Sequence, residues 1–474
     1  MFSRCGACKH IDVPYEEQLK KKKDILTDLL GEFGEVEDMV GMRDPHHYRC
    51  KVTRVFVQGK GGKILTGNYH ESSKDIVPVE NCLIEDSKAD RIIKDIAELL
   101  TSFKMKIYNQ RTGYGNFRYA MVRTGKNTGE IMVILVTRSP VFPSKNNFTK
   151  ALLKLHPEIT TIVQNVNDRT DSLVLSNKNN VLYGKGFIED SLCRMKFRIS
   201  PGSFYQVNPL MAERIYKKAV SFIPDGFKGI VMDAYCGTGT IGLVASKKCE
   251  NVIGVELSGD AVKDARVNAK INSVKGYSVF QEDAGEFLER YYNDGEKVDI
   301  LIMDPPRQGS TLEFINTLKR LSPEKIIYVS CNPITLKRDL ALLTEPRAGA
   351  RGSYKVKSIT GYDMFPYTES CETVCLLSKL HEAKHHVNVK VDMDELDLTS
   401  AEAKATYKEI EEWVQEHYGF HVTNLNIAQV KQKHGIIERE NYNKPKSENS
   451  RQPGCPEEKV KAIEDAMRHF QMIQ

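Results

Sequence analysis

Residues able to do covalent or cofactor chemistry cluster in a few short stretches of the chain. In Ile327-Tyr328-Val329-Ser330-Cys331-Asn332-Pro333 a β-branched apolar run meets a small-residue turn with one thiol. Pro333 cannot continue a ladder, so residues 334–343 read as a helix. A cysteine at the carboxyl end of a buried strand stands where open α/β sheets put their sites. The helix start beside it should lower its pKa toward thiolate. Taken alone, however, such a thiol fits a packed structural cysteine before it fits a nucleophile.

A second stretch, 229–242, runs from a buried strand through Asp233 into the turn Tyr235-Cys236-Gly237-Thr238-Gly239-Thr240 and a helix over 241–248. Glycines there let the backbone approach a ligand. The next strand, 251–256, ends in Glu256, at the spacing of a ribose-hydroxyl acceptor. A dinucleotide site would use a similar turn, but Gly237-x-Gly239-x-x-Gly242 fits that fingerprint imperfectly. With Glu282-Asp283-Ala284 closing a further strand, a nucleotide-type ligand is the better reading. The strand 298–303 then delivers Asp304-Pro305-Pro306-Arg307, in which two prolines fix the aim of the carboxylate. A helix-capping aspartate explains Asp304 equally well until its place at the carboxyl end of a parallel strand is counted.

These residues need a parallel sheet with covering helices, and a βα alternation from about 197 to 380 supplies it. Short strands with glycine turns (51–57, 117–123, 131–137 and 172–175) and a helix near 86–103 precede it and predict a mixed sheet domain. A helix should run from Tyr15 to about residue 30, and two more over 400–417 and 456–470, after a His- and Lys-containing linker at 381–386 and separated by the polar stretch 441–454. The expected organisation is thus 1–48, 49–195, 196–380 and 387–474. The fold class is α/β, with an amino-terminal mixed α+β domain, a doubly wound catalytic sheet and a small helical carboxyl extension.

The chain has 474 residues, with Lys+Arg 68 against Asp+Glu 63, a net +5 that permits a polyanionic partner without requiring one. Eleven cysteines point to metal or catalytic use rather than disulfides. The opening residues lack a signal peptide's apolar stretch, and the strongest apolar run, 131–136, is too short to span a bilayer. A cytoplasmic protein, without membrane attachment and monomeric, is expected.

The motifs Phe204-Tyr205-Gln206-Val207-Asn208, Asp233-x-Tyr235-Cys236-Gly237-Thr238-Gly239-Thr240-Ile241-Gly242, Asp304-Pro-Pro-Arg307, Ser330-Cys331-Asn332-Pro333 and Phe365-Pro366-x-Thr368-x-x-x-Glu372-Thr373-Val374 occur in that order. In this the chain resembles the RNA uracil-5-methyltransferases, and within them the bacterial 23S ribosomal RNA branch, over residues 1–380. The resemblance implies a class I S-adenosylmethionine methyltransferase fold. It implies that Gln206, Tyr235, Glu256 and Asp304 bind S-adenosylmethionine, with Glu256 on the ribose. Cys331 would be the nucleophile and Glu372 the general base. Ser370-Cys371 stands where the family often has His-Val. Cys371 and Cys375 alternate with Glu372 along a strand and read as packing residues.

Such an enzyme would add its thiolate to uracil C6, making C5 nucleophilic enough to take a methyl group, and would then remove the C5 proton. Transfer RNA is an alternative substrate. So is an amino-group methyltransferase, with Asp304 on an exocyclic amine and no need of a thiol. A non-catalytic RNA-binding factor has no use for Cys331 and Glu372 together.

Cys5-x-x-Cys8 with Cys82 resembles the iron–sulfur site of several family members, and Cys50 is a candidate fourth ligand for a [4Fe–4S] cluster. The additional cysteine those members carry would fall before Met1. The expectation is an upstream start or an incomplete site, with a zinc-type or vestigial pair as alternative. The chain opens on the cysteine pair, so no amino-terminal oligonucleotide-binding barrel is expected. RNA contacts are then assigned to Lys20–Lys23 and to Arg111, Arg118 and Arg123, with Tyr114 and Phe117 stacking. A solvated helix face explains the lysine run as well. Val430-Lys431-Gln432-Lys433-His434 is assigned to an RNA-binding or docking module. The pairs His46-His47 and His385-His386 show no metal-ligand spacing.

Overall fold

The computed structural model describes residues 5–70, 73, 75–110, 112–171, 173–345, 353–380, 405–436, 455–470, 472 and 473. Residues 1–382 form one compact unit and 383–474 a second. Arg111, Ser172, the 381–386 linker with His385-His386, residues 400–404 and the 441–454 stretch lie outside the described residues.

Strands of the first sheet are β1 (Lys51–Gln58), β2 (Ile64–Tyr69), β3 (Ile76–Pro78), β4 (Phe117–Thr124), β5 (Ile131–Thr137), β6 (Ile159–Val166) and β7 (Asn179–Tyr183), in the order β3-β2-β1-β4-β5-β6-β7. All pairs are antiparallel except β5 with β6, whose connection carries a helix, α3 (Lys145–Leu155). The expected helix near 86–103 is α2 (Ser87–Ser102), capped by Asp86, whose carboxylate accepts from the Lys88 and Ala89 amides. Its Ile92, Ile93, Ile96 and Leu100 are buried on the sheet. The strand expected at 172–175 does not form. Asn167 explains why: its side-chain amide donates to the Leu173 and Val174 carbonyls (2.7 and 2.9 Å) and holds that apolar run as a loop.

A hairpin, β8 (Ile188–Leu192) and β9 (Met195–Ile199), leads to α4 (Pro209–Ser221) and the second sheet. Its strands are β10 (Phe227–Asp233), β11 (Cys249–Glu256), β12 (Tyr277–Gln281), β13 (Ile300–Met303), β14 (Lys325–Ser330), β15 (Tyr354–Tyr362) and β16 (Glu372–Lys379). Their order is β12-β11-β10-β13-β14-β16-β15, parallel except for β16. This is the class I methyltransferase arrangement. Side chains alternate between two cores, as the strand period of two requires. Val231, Ile300, Ile302, Ile327 and Val329 face α4, α5 (Thr240–Ala245) and α6 (Gly259–Ile271). Met232, Leu301, Met303, Ile326 and Tyr328 face α7 (Ala284–Asn293), α8 (Leu312–Leu321) and α9 (Pro333–Thr344).

The amino-terminal helix α1 (Tyr15–Leu30) buries Leu26 and Leu30 in that second core. The segment after it lies along β15, with Glu37 and Val40 amides donating to the Ile359 and Gly361 carbonyls (2.8 and 2.9 Å). This covers an otherwise open sheet edge. In the second unit α10 (Tyr407–Tyr418), α11 (Asn424–Lys433) and α12 (Glu457–His469) pack around Ile410, Val414, Ile427, Ile463 and Met467. Among the described residues no helix is long and apolar enough to cross a membrane.

Candidate active site

A cavity of about 940 Å³ opens at the carboxyl ends of β10, β11, β13 and β14. Gln206, Tyr235, Glu256, Asp304, Cys331 and Glu372 all line it. Residues spread over 166 positions of sequence are thereby brought to one cavity, most of them by the ends of strands and Gln206 by the loop before α4.

The turn after β10 gives the cavity its floor. Gly237 (φ +54°) and Gly239 (φ +81°) hold left-handed conformations, and a Cβ on Gly237 would point into open space. Asp233 anchors the turn from below by accepting from the Gly242 amide (2.8 Å). Burial pushes its pKa up to about 7. Glu256 accepts from the Gly237 and Ser258 amides (3.1 and 2.7 Å), which fixes its carboxylate at the cavity edge. The Tyr235 hydroxyl lies 3.5 Å from Ser310 Oγ.

Cys331 and Glu372 meet through strand register. β14 and β16 are antiparallel with Ser330 opposite Thr373. Cys331 follows Ser330 and Glu372 precedes Thr373 at the end of this ladder, close enough for the Glu372 charge to act on the thiol. Asn332 caps α9 through the Ile334 amide (3.1 Å) and donates to the Arg307 carbonyl (2.9 Å). That bond ties the thiol's turn to the Asp304-Pro305-Pro306-Arg307 loop.

Electrostatically the site is acidic. Asp304 is enclosed by protein while its carboxylate faces the cavity, and burial raises its pKa to about 7. Burial, then the Asp304 charge, holds Glu372 well above the usual carboxylate range, with Arg307 opposing. The expected depression of Cys331 is not found: burial pushes the thiol up to about 11, Glu372 and Asp304 add to the rise, and Arg307 counters it. Two acids in a partly desolvated pocket outweigh the half-charge of one helix end.

The arrangement fits S-adenosylmethionine. A floor of left-handed glycines leaves room for close approach, Glu256 offers fixed acceptors, and the acidic wall suits a sulfonium cation. Cavity walls that sequence reasoning missed include Arg49 and Tyr216, while Phe204, Asp283 and Arg307 stood only within quoted motifs. Arg49 and Tyr216 come from outside the parallel strands, and no local pattern marks them. Phe204 stands in the Phe204–Asn208 motif, and the structure leaves it 59 % exposed.

The iron–sulfur expectation is not supported. Cys5, Cys8 and Cys82 are near enough to act on each other: burial, then Cys82 and Cys5, raises Cys8 to about 12. Yet among the described residues no three His, Cys, Asp or Glu side chains are grouped to hold a metal ion. Cys5 Sγ instead accepts from Asn68 (3.3 Å), and the buried Cys50 thiol donates to the Gln206 carbonyl (3.6 Å).

Several expected RNA contacts are also corrected. Lys22 is 3 % exposed and bonds Asp363 (2.7 Å), and Lys23 pairs with Asp38, while Lys20 and Lys21 remain exposed. Arg118 and Arg123 lie on β4, a central strand buried throughout. Arg118 donates to the Asn167 and Arg169 carbonyls (both 2.7 Å), and Arg123 to Ser203 (2.7 Å). Phe117 is core and Tyr114 is exposed. Lys431 is buried over the Tyr407 ring, and Lys433 and His434 bond Glu464 (3.0 and 2.9 Å). Cys371 and Cys375 are buried packing residues, as expected. His46 and His47 hydrogen-bond Asp44 and the Glu85 carbonyl (2.7 and 2.8 Å) and form no metal group.

Residues 14–380 match the family model described as tRNA (Uracil-5-)-methyltransferase. Among curated relatives, an RNA methyltransferase of Clostridium tetani, itself uncharacterized, is 36% identical over 388 residues, 81% of this chain and 83% of that one. A counterpart from Staphylococcus aureus is 36% identical over 382 residues, 80% of this chain and 83% of that one. Among solved structures, the Pyrococcus abyssi tRNA (uracil-54, C5)-methyltransferase in complex with S-adenosyl-L-homocysteine superposes with TM-score 0.63. It is 28% identical and covers 77% of this chain and 83% of that one.

Proposed function

The chain belongs to the tRNA (uracil-5-)-methyltransferase family, and from that premise we propose that it methylates uracil C5 in RNA, with 23S ribosomal RNA as substrate. The observation supporting this reading is that Cys331 and Glu372 line one cavity and that the Glu372 charge acts on the Cys331 thiol. The alternative substrate, transfer RNA, is favoured by the name of the archaeal relative.

Gln206, Tyr235, Glu256 and Asp304 would hold S-adenosylmethionine, Glu256 through the ribose hydroxyls and Asp304 opposite positive charge. Bound there, the cofactor supplies a methyl group on a sulfonium, an electrophile for an activated carbon. Cys331 provides the activation. Its thiolate adds to C6 of the extruded base, and the C5=C6 electron pair moves onto C5 and the C4 carbonyl. Arg307, which favours the ionised forms of both Cys331 and Glu372, is suited to promote the thiolate.

Glu372 then acts on the methylated adduct. Its carboxylate takes the C5 proton, the pair reforms C5=C6, and the thiolate departs. A carboxyl group whose pKa is raised by burial and by Asp304 is a stronger base toward a carbon-bound proton once ionised. A base flipped out of a loop reaches this cavity at the lowest unstacking cost. In this reading residues 196–380 carry the chemistry, and 49–195 contribute Arg49 and the exposed Tyr114 to the RNA side.

Trapping on transcripts containing 5-fluorouridine tests this. Fluorine at C5 cannot leave as a proton, so the wild-type protein with S-adenosylmethionine should freeze as a denaturant-stable adduct on 23S ribosomal RNA. Cys331→Ser should form none. Glu372→Gln should accumulate adduct on ordinary RNA as well. Adduct on transfer RNA alone would move the substrate to that class. No adduct from folded, cofactor-binding protein would overturn the thiol mechanism and favour an amino-group methyltransferase.

A further inference from the structure

Tyr367 holds a left-handed backbone conformation (φ +68°), which is disfavoured for a residue with a Cβ and persists only where its surroundings impose it. It stands five positions before Glu372, in a loop whose Phe365, Thr368 and Ser370 line the catalytic cavity. Tyr367 itself does not line it.

Every handle on this residue is grasped by the amino-terminal segment. Its amide donates to Gln18 Oε1 (3.0 Å), and its carbonyl accepts from the His10 amide (3.1 Å). Gln18 is 1 % exposed and is itself fixed by donation to the His10 and Val13 carbonyls (3.1 and 2.7 Å). The Tyr367 hydroxyl lies 2.8 Å from His46 Nε2, and His46 Nδ1 lies 2.7 Å from Asp44 Oδ1. A carboxylate only accepts, so the neutral imidazole carries its proton on Nδ1 and receives the tyrosine O–H on Nε2. On either side of Tyr367, Lys22 Nζ donates to the Phe365 and Ser370 carbonyls (3.2 and 2.9 Å).

We propose that the Asp44–His46–Tyr367 chain is a positioning device, which locks the 365–370 loop so that Glu372 meets the C5 proton of the methylated adduct. The proposal rests on the uracil-5-methyltransferase reading. No group of the chain touches the reacting atoms. It acts through the backbone that ends in Glu372, and a small displacement of a reacting group lowers rates steeply.

The closing experiment uses the full chain with 23S ribosomal RNA transcripts and S-adenosylmethionine. Tyr367→Phe and His46→Ala should keep cofactor affinity within about twofold while overall turnover falls at least about tenfold. Covalent protein–RNA adduct should accumulate on ordinary RNA, because adduct forms and resolves slowly. His46→Gln, which keeps an acceptor at similar reach, should restore most of the turnover. Wild-type rates and adduct levels in Tyr367→Phe and His46→Ala would overturn the proposal. So would a parallel loss of thermal stability and cofactor affinity without adduct, the mark of a packing role. Failure of the wild-type protein to trap on 5-fluorouridine RNA would remove the underlying reading and this proposal with it. Trapping by the wild type without any difference in the variants removes the positioning device alone.

Discussion

At the scale of single residues, the free site is set against ionisation. Asp304 and Glu372 lie above their ordinary range and Cys331 is held near 11. In the proposed mechanism all three ionise, Asp304 to face a cation, Glu372 to take a proton and Cys331 to attack. Single-turnover adduct formation should therefore rise steadily between about pH 6 and pH 9. A profile flat across that window would contradict the pKa directions. The same shifts carry a stability sign. Asp304 titrates near 3.8 unfolded and about 7 folded, so the folded state binds the extra proton between these values. Stability is fully present below the lower one and is lost as pH rises to the upper. Asp304→Asn removes that loss. It should raise the unfolding free energy at pH 8, by on the order of 1 kcal/mol or more, gain little at pH 4, and abolish tight cofactor binding. In the sequence, strand ends drew notice to Cys331 and Asp304, while Glu372 was reached only through the family resemblance. The sequence could not disclose their ionisation, which depends on acids converging from separate strands.

Among the elements, α1 shows where legibility stops. The Tyr15–Leu30 helix was readable from its spacing, but four consecutive lysines gave no hint that Lys22 alone points inward. It does so because Asp363, itself fully buried, lies beneath the helix, with Phe365 and Ser370 carbonyls beside it. Lys22→Met leaves that carboxylate without its cation and should cost about 3–5 kcal/mol in denaturant unfolding. Lys20→Ala and Lys21→Ala should each stay within about 0.5 kcal/mol. Equal effects at the three positions would mean that the ion pair is not formed. Elsewhere the strand at 131–137 and the helix starting at Pro333 were readable because each has an unbroken pattern and a clear stop. α11 escaped notice because Asn424, Asn426, Gln429 and Gln432 dilute its apolar face. The run at 173–175 looked like a strand because a side-chain amide 6 residues upstream, invisible to periodicity, captures its carbonyls.

For the whole molecule, the second unit stands apart from the family match, which ends at residue 380. Its described residues hold six Lys and Arg against eight Asp and Glu, and among them Lys431 points inward while Lys433 is paired with Glu464. Removing residues 383–474 should leave cofactor affinity and 5-fluorouridine trapping intact. A large loss of trapping by the truncated protein, still folded, would assign that unit a part in RNA capture. Within the first unit, the contact between α1 and the 363–370 loop joins residues more than 340 positions apart. A ribosome therefore releases α1, with Leu26 and Leu30 bare, long before β15 and the loop exist to cover them. On the proposed reading, the helix that steadies the loop before Glu372 is made early and docks late, so nascent chains stay sticky until the 363–370 loop has been synthesised.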